Sequence, residues 1–226
     1  MPLTNRLYFA QVASSVWADW IQIINVSGEN AKIQAIARDW NANILWSSER
    51  MSSPFQGWVI PVEPASVTQN LSLVVLSDKA IVGERHCHNG TEVLAFPGAS
   101  PELGTAGCRL FFPELVAECG DWFIVFNITN IESQVNAIVR DVNGAVVKQF
   151  GTRLKGMGGW VFSDVETGRV SGTVEVVSEQ MIVAERHLHY QGTFHPNGVA
   201  LGQLGQVIDI EPVIPPPFTF PMPLGR

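Results

Sequence analysis

Apolar residues in this chain come in short runs rich in Val, Ile, Phe and Trp, separated by turn residues. That is strand chemistry rather than helix chemistry. In the run DWFIVFN, Trp122, Ile124 and Phe126 point to one side and Phe123 and Val125 to the other. A strand apolar on both faces is predicted to be central and covered. Residues 135–140 read as the next strand. Asp141-Val142-Asn143-Gly144 supplies a turn whose Asn-Gly pair favours a tight hairpin, and residues 145–150 pair back. Segments 159–162, 172–177 and 181–190 complete the set. Glu179-Gln180 is predicted at the last hairpin, as Asp78-Lys79 is earlier in the chain. No amphipathic helix is predicted.

The pattern occurs twice. Leu7-Tyr8-Phe9-Ala10 returns as Leu110-Phe111-Phe112-Pro113, and DWIQIINVS, with Trp20 and Asn25, returns as DWFIVFNIT, with Trp122 and Asn127. Arg38-Asp39 matches Arg140-Asp141, and Gly57-Trp58-Val59 matches Gly159-Trp160-Val161. IVGERHCH, with Glu84-Arg85-His86, matches IVAERHLH, with Glu185-Arg186-His187. The spacing is 103 residues at Leu7 and Leu110, 102 at Trp20 and Trp122, and 101 at Glu84 and Glu185. Register held across a whole unit implies duplication. The expected organisation is residues 1–104, residues 105–205 and a tail at 206–226. With about seven short strands per unit, the expected fold is all-β: two tandem immunoglobulin-like β-sandwich domains with an extended Pro-rich C-terminal arm. A small barrel is the alternative.

Composition narrows the function classes. Hydrophobic residues are 46% and charged residues 15% of the 226, against about 25% charged in an average chain. Such a chain builds a core and has apolar surface to spare for a subunit contact. The net charge of −7 and the lack of any basic run argue against nucleic acid. No stretch approaches the ~20 apolar residues of a membrane span. The first ten residues lack the basic-then-apolar plan of a secretory signal, so a cytoplasmic location stays open. Cys87, Cys108 and Cys119 match no zinc spacing. Cys108 and Cys119 could bridge neighbouring strands, or all three could be small half-buried apolar residues.

Candidate chemistry centres on Glu84-Arg85-His86-Cys87-His88 and Glu185-Arg186-His187-Leu188-His189. Strand alternation puts Glu and both His on one face. Two His at i and i+2 are about 6.8 Å apart, close enough to share zinc or copper. His195 could add a third ligand in the second unit. The competing reading is a polar sheet face whose Glu and Arg pair across strands, with Arg38-Asp39 and Arg140-Asp141 as partners; a pH-sensitive contact is a third. Trp20, Trp58, Trp122 and Trp160 read as core or core-edge packing. Trp17, Trp40 and Trp46 lack aromatic counterparts in the second unit and are candidates for a contact surface, including stacking on a glycan. Asn25, Asn70, Asn89 and Asn127 fit the glycosylation pattern, but Asn25 and Asn127 fall at equivalent strand ends and read as turn formers. No catalytic motif emerges.

The tail reads VIDIEPVIPPPFTFPMPLGR. Residues 207–210 alternate like a strand, Pro215-Pro216-Pro217 is stiff, and Ile214, Phe218, Phe220, Met222 and Leu224 offer an apolar arm for a groove on this chain or a neighbour. Leu110 to Pro113, Asp121-Trp122 to Thr129, and Ile182 to Arg186 followed by a Gly-rich segment resemble a tandem repeat domain of bacterial and archaeal cell-surface proteins. They resemble more distantly the oligomeric sandwich of the sensory rhodopsin transducer family. The resemblance implies a cell-surface or extracellular location. The expectation is a non-catalytic structural protein, without a built-in cofactor, that self-assembles into an oligomer, filament or surface layer through its sandwich edges and the C-terminal arm. A carbohydrate- or ligand-binding module and a metal-binding sandwich are the alternatives.

Overall fold

The computed structural model describes residues 3–13, 18–62, 70–89, 92–190 and 200–209. The first unit runs β1 (Thr4–Ala13), β2 (Ala18–Asn25), β3 (Ala31–Asp39), β4 (Ile44–Ser52), β5 (Gly57–Val62), β6 (Leu71–Asn89) and β7 (Glu92–Pro97). The second runs β8 (Gly107–Leu115), β9 (Gly120–Asn127), β10 (Ser133–Asp141), β11 (Val146–Leu154), β12 (Gly159–Ser163), α1 (Asp164–Thr167), β13 (Gly172–His189), β14 (Ala200–Leu204) and β15 (Gln206–Asp209). α1 is a single turn, held by a capping box between Ser163 and Glu166.

Each unit is one antiparallel sheet curled into two layers about a long shared strand. The first half of β6 pairs with β1 and β3, and its second half with β2 and β7. β4 lies beyond β3, and β5 beyond β2. β13 repeats this with β8 and β10, then β9 and β14. Register agrees too: Trp20 faces His86 and Gln22 faces Glu84, while Trp122 faces His187 and Ile124 faces Glu185. The chain is therefore all-β, two tandem sandwiches of one strand order.

The hairpins expected at Asp78-Lys79 and Glu179-Gln180 are not turns. β6 and β13 run through them, with a register shift as the strand passes from one layer to the other. The acidic residue there serves the neighbouring strand: Lys32 N–H donates to Asp78 at 2.8 Å and Gln134 N–H to Glu179 at 3.1 Å. Ser77 and Ser178 hydroxyls accept N–H groups two residues on. A polar cluster that reads as a turn is a layer crossing whose backbone is satisfied by side chains.

Gly98 and Gly205 mark a second crossing. Their N–H groups donate to Gly83 and Ala184 carbonyls, after which Ala99 bridges Tyr8 and β15 pairs with β8. Thus Gln206–Asp209, within the range assigned to the arm, completes the second sheet, while Ile214, Phe218, Phe220, Met222 and Leu224 lie outside the described residues. Cys108 and Cys119 are buried and not joined in a disulfide, and Cys87 is buried likewise. β8 separates the first two end from end, beyond the ~7 Å that a disulfide spans.

Each sandwich has its own core, built on Leu7, Phe9, Ile21 and Ile33 in one and Phe112, Phe123, Val125 and Phe162 in the other. A third cluster joins the units: Tyr8, Ala10 and Val74 from the first meet Ile124, Phe126 and Val183 from the second. This explains why β9 is apolar on both faces: one covers its own core and the other covers the first unit. Burial of each large apolar side chain contributes ~1.5–3 kcal/mol. Among the described residues no helix is long and apolar enough to cross a membrane, which says nothing of β-barrels.

Candidate functional site

Part of the repeated ionisable motif meets at the seam between the units: Arg85 from the first, and Glu185, His187 and His189 from the second. On β6, alternation turns Arg85 inward and Glu84 outward, and on β13 it does the same to Arg186 and Glu185. Arg85 Nε donates to Asp19 Oδ1 at 3.1 Å and Arg186 Nε to Asp121 Oδ1 at 2.7 Å, all four side chains almost wholly buried. The Arg partners are thus the Asp residues preceding Trp20 and Trp122, not Asp39 and Asp141. Those two accept from the turns that follow them, Asp39 from Asn43 and Asp141 from Asn143 and Ala145. Sequence held the signal, since Asp-Trp and Glu-Arg-His repeat together. Burial raises the Asp19 carboxyl to about 6 against the opposing pull of Arg85, and burial likewise raises Asp121 against Arg186.

Glu185 leaves its own unit. Its Oε2 accepts from Arg85 Nη1 at 3.0 Å and its Oε1 from the Ala10 N–H at 2.9 Å. Its counterpart Glu84 is half-exposed and, among the described residues, pairs with His86 of its own strand at 2.7 Å. The histidines split the same way. His86 and His88 lie flat against Trp20, ring centroids 5.6 and 4.5 Å away. His187 stacks on Phe96 of the first unit at 4.9 Å, and His189 Nδ1 lies 3.0 Å from the buried Glu92 of β7. Burial pushes His187 down to about 4, the nearby Glu185 only partly offsetting it. Among the described residues no three His, Cys, Asp or Glu side chains converge on a point fit for a metal ion. His195 lies outside them.

The tryptophans fall differently from expectation. Trp58 is buried in the first core and Trp160 packs on the second, but Trp20 is 38% and Trp122 39% exposed, because each stands on the outer face of its sheet. Trp40 is no open stacking platform. It joins the seam, its carbonyl accepting from the Gly159 N–H at 3.1 Å and its ring covering that glycine. Trp46 packs against the first core, and Trp17 lies outside the described residues.

Asn25 and Asn127 are buried turn formers. Asn25 Oδ1 accepts from Ser27 N–H and Oγ while its amide donates to Glu29, Ser52 and Ser53 carbonyls. Asn127 repeats this with Thr129, Ile131 and Lys155.

Outward from the seam, each unit presents a hollow. The first, of about 330 Å³, is lined by Gln22, Ile24, Val82, Gly83, Glu84 and His86. The second, of about 530 Å³, is lined among others by Phe111, Pro113, Arg140, Val142 and Thr173.

No family model matches the chain, and no curated protein does. Among solved structures, Thermotoga maritima 1070 is similar at 14% identity and TM-score 0.38, over 45% of this chain and 98% of that one. A β-glucuronidase of glycoside hydrolase family 2 is similar at 11% identity and TM-score 0.23, over 88% of this chain and 23% of that one. A family 2 glycosyl hydrolase of Bacteroides cellulosilyticus DSM 14838 is similar at 8% identity and TM-score 0.23, over 88% and 27%. At these values none of them bears on what this chain does.

Proposed function

We propose that the chain is a non-catalytic structural protein that self-associates into an oligomer, filament or layer through its sheet faces, with the C-terminal arm as a further contact. The supporting observation is where its apolar surface lies. Val59 and Val82 are 53% and 41% exposed on the outer face of the first sandwich, and Val142, Val146 and Val147 are 75%, 51% and 47% exposed at one end of the second. Exposed valines grouped on a sheet face and at a sheet end are what a subunit contact covers. The buried Arg85–Glu185 pair ties the two sandwiches together, while Arg85–Asp19 and Arg186–Asp121 brace each one from within, which suits a rigid building block. The cell surface is the setting that the resemblance of the repeat suggests.

Sedimentation of the full chain across a wide concentration range, with negative-stain electron microscopy, tests this. Species heavier than the 24.7 kDa chain should grow with concentration. A single 24.7 kDa species throughout would remove the reading.

A further inference from the structure

The seam joins two copies of one module through different faces. The second unit presents the outer face of β9 and the second half of β13; the first presents β1, the first half of β6 and Trp40. Such a contact is heterologous, and among the described residues nothing covers the counterpart of either face. By strand register, Ile124, Phe126, Val183 and Glu185 correspond to Gln22, Ile24, Val82 and Glu84, which line the hollow on the first unit. Tyr8 and Val74 correspond to Phe111 and Glu175. Ala10 and Trp40 correspond in the repeat to Pro113 and Val142, which with Phe111 line the hollow on the second unit.

We propose that the partner on both hollows is a second copy of this chain, added head to tail. The β2–β6 face of one molecule docks on the β8 and Val142 face of the next, repeating between molecules the seam within each. This rests on the self-association proposed above and specifies its geometry. The differences between the closed and open faces suit a contact that must also stand in water. Gln22 replaces Ile124, Glu175 replaces Val74 and Val142 replaces Trp40, each lowering the apolar load. Charge is complementary. Pro113 has no N–H to offer where Ala10 binds Glu185, so Glu84 needs a cation instead. Arg140 lines that hollow and Arg109 is 40% exposed beside it, two guanidiniums sharing the single carboxylate of Glu175.

The test uses full-length protein with Val82→Asp in one preparation and Val142→Asp in another, both at exposed positions that leave the cores intact. Either substitution buries an unpaired charge at one face only and should weaken association roughly tenfold or more. Each variant alone should therefore sediment as a monomer. Mixed in equal amounts, they should form a species of two chains and nothing larger, since one sound face of each kind remains. Wild-type assembly unaffected by either substitution would overturn the head-to-tail geometry while leaving self-association standing. So would a mixture that stays monomeric. A wild type that is monomeric at every concentration would overturn both.

Discussion

Arg85 of the first unit and Glu185 of the second meet at 3.0 Å in a region closed to solvent. Arg85 also holds Asp19 within its own unit, and Glu185 also takes the Ala10 N–H, so four groups from both units share one buried network. A buried pair contributes little net stability when whole, but removing one partner strands the other charge. Glu185→Gln should therefore cost about 2–4 kcal/mol in urea unfolding. Glu84→Gln, at the equivalent solvent-facing position, should stay within about 0.5 kcal/mol. Equal effects would mean that the network does not tie the units together.

Asn127 occupies a site where only an amide satisfies every partner. Its oxygen faces two donors and its nitrogen faces two carbonyls. Asn127→Ala should cost about 1–3 kcal/mol for the stranded backbone groups. Asn127→Asp should cost at least as much, because an oxygen then confronts the Ile131 and Lys155 carbonyls. An Asp variant as stable as wild type in thermal unfolding would contradict this account.

Fold and duplication were legible because both rest on local rules: period-two patterning and a spacing that barely drifts. The Asn25 and Asn127 turns were legible for the same reason. What sequence hid was longer in range. Asp78-Lys79 has the polarity of a turn, yet sits within a 19-residue strand, and only the pairing of β6 with both layers reveals it. Trp20 and Trp122 repeat like core residues but face outward, since an aromatic on a sheet's outer face keeps the same alternation. The seam left one trace, the doubly apolar run of β9 against the Gln22-bearing run of β2. That asymmetry between copies marks which face is covered within the molecule.

Gly159 and Gly57 test the seam by contrast. A Cβ on Gly159 would lie 2.5 Å from Trp40 Cδ1, whereas one on Gly57 would meet nothing nearer than 3.5 Å. Gly159→Ala should therefore destabilise by about 1–3 kcal/mol through overpacking. It should also shift the tryptophan fluorescence to the red as Trp40 is displaced. Gly57→Ala should leave both unchanged or add slight stability by stiffening the unfolded chain. An unmoved emission maximum in Gly159→Ala would show that Trp40 does not hold the units in register.

The pH dependence of stability draws on buried groups of opposite sign, His187 on one side and Asp19, with Asp121 shifted the same way, on the other. His187 has a folded pKa of about 4, below its ordinary 6.5, so below pH 6.5 the unfolded chain takes up a proton that the folded one refuses. Its contribution is whole above 6.5 and is lost as pH falls through 4, on the order of 3 kcal/mol in all. Asp19, raised from 3.8 to about 6, behaves oppositely: its folded form holds a proton that the unfolded form gives up, so its contribution shrinks as pH rises through 6. Between pH 4 and 6 the two oppose, and the wild type should show a shallow acid limb. His187→Phe, which keeps a ring against Phe96, should turn that limb so that stability rises as pH falls from 6 to 4. Asp19→Asn should steepen the loss instead. Melting temperatures measured at half-unit steps from pH 4 to 7.5 decide the matter, and parallel curves for the wild type and both variants would show that neither group titrates differently on folding.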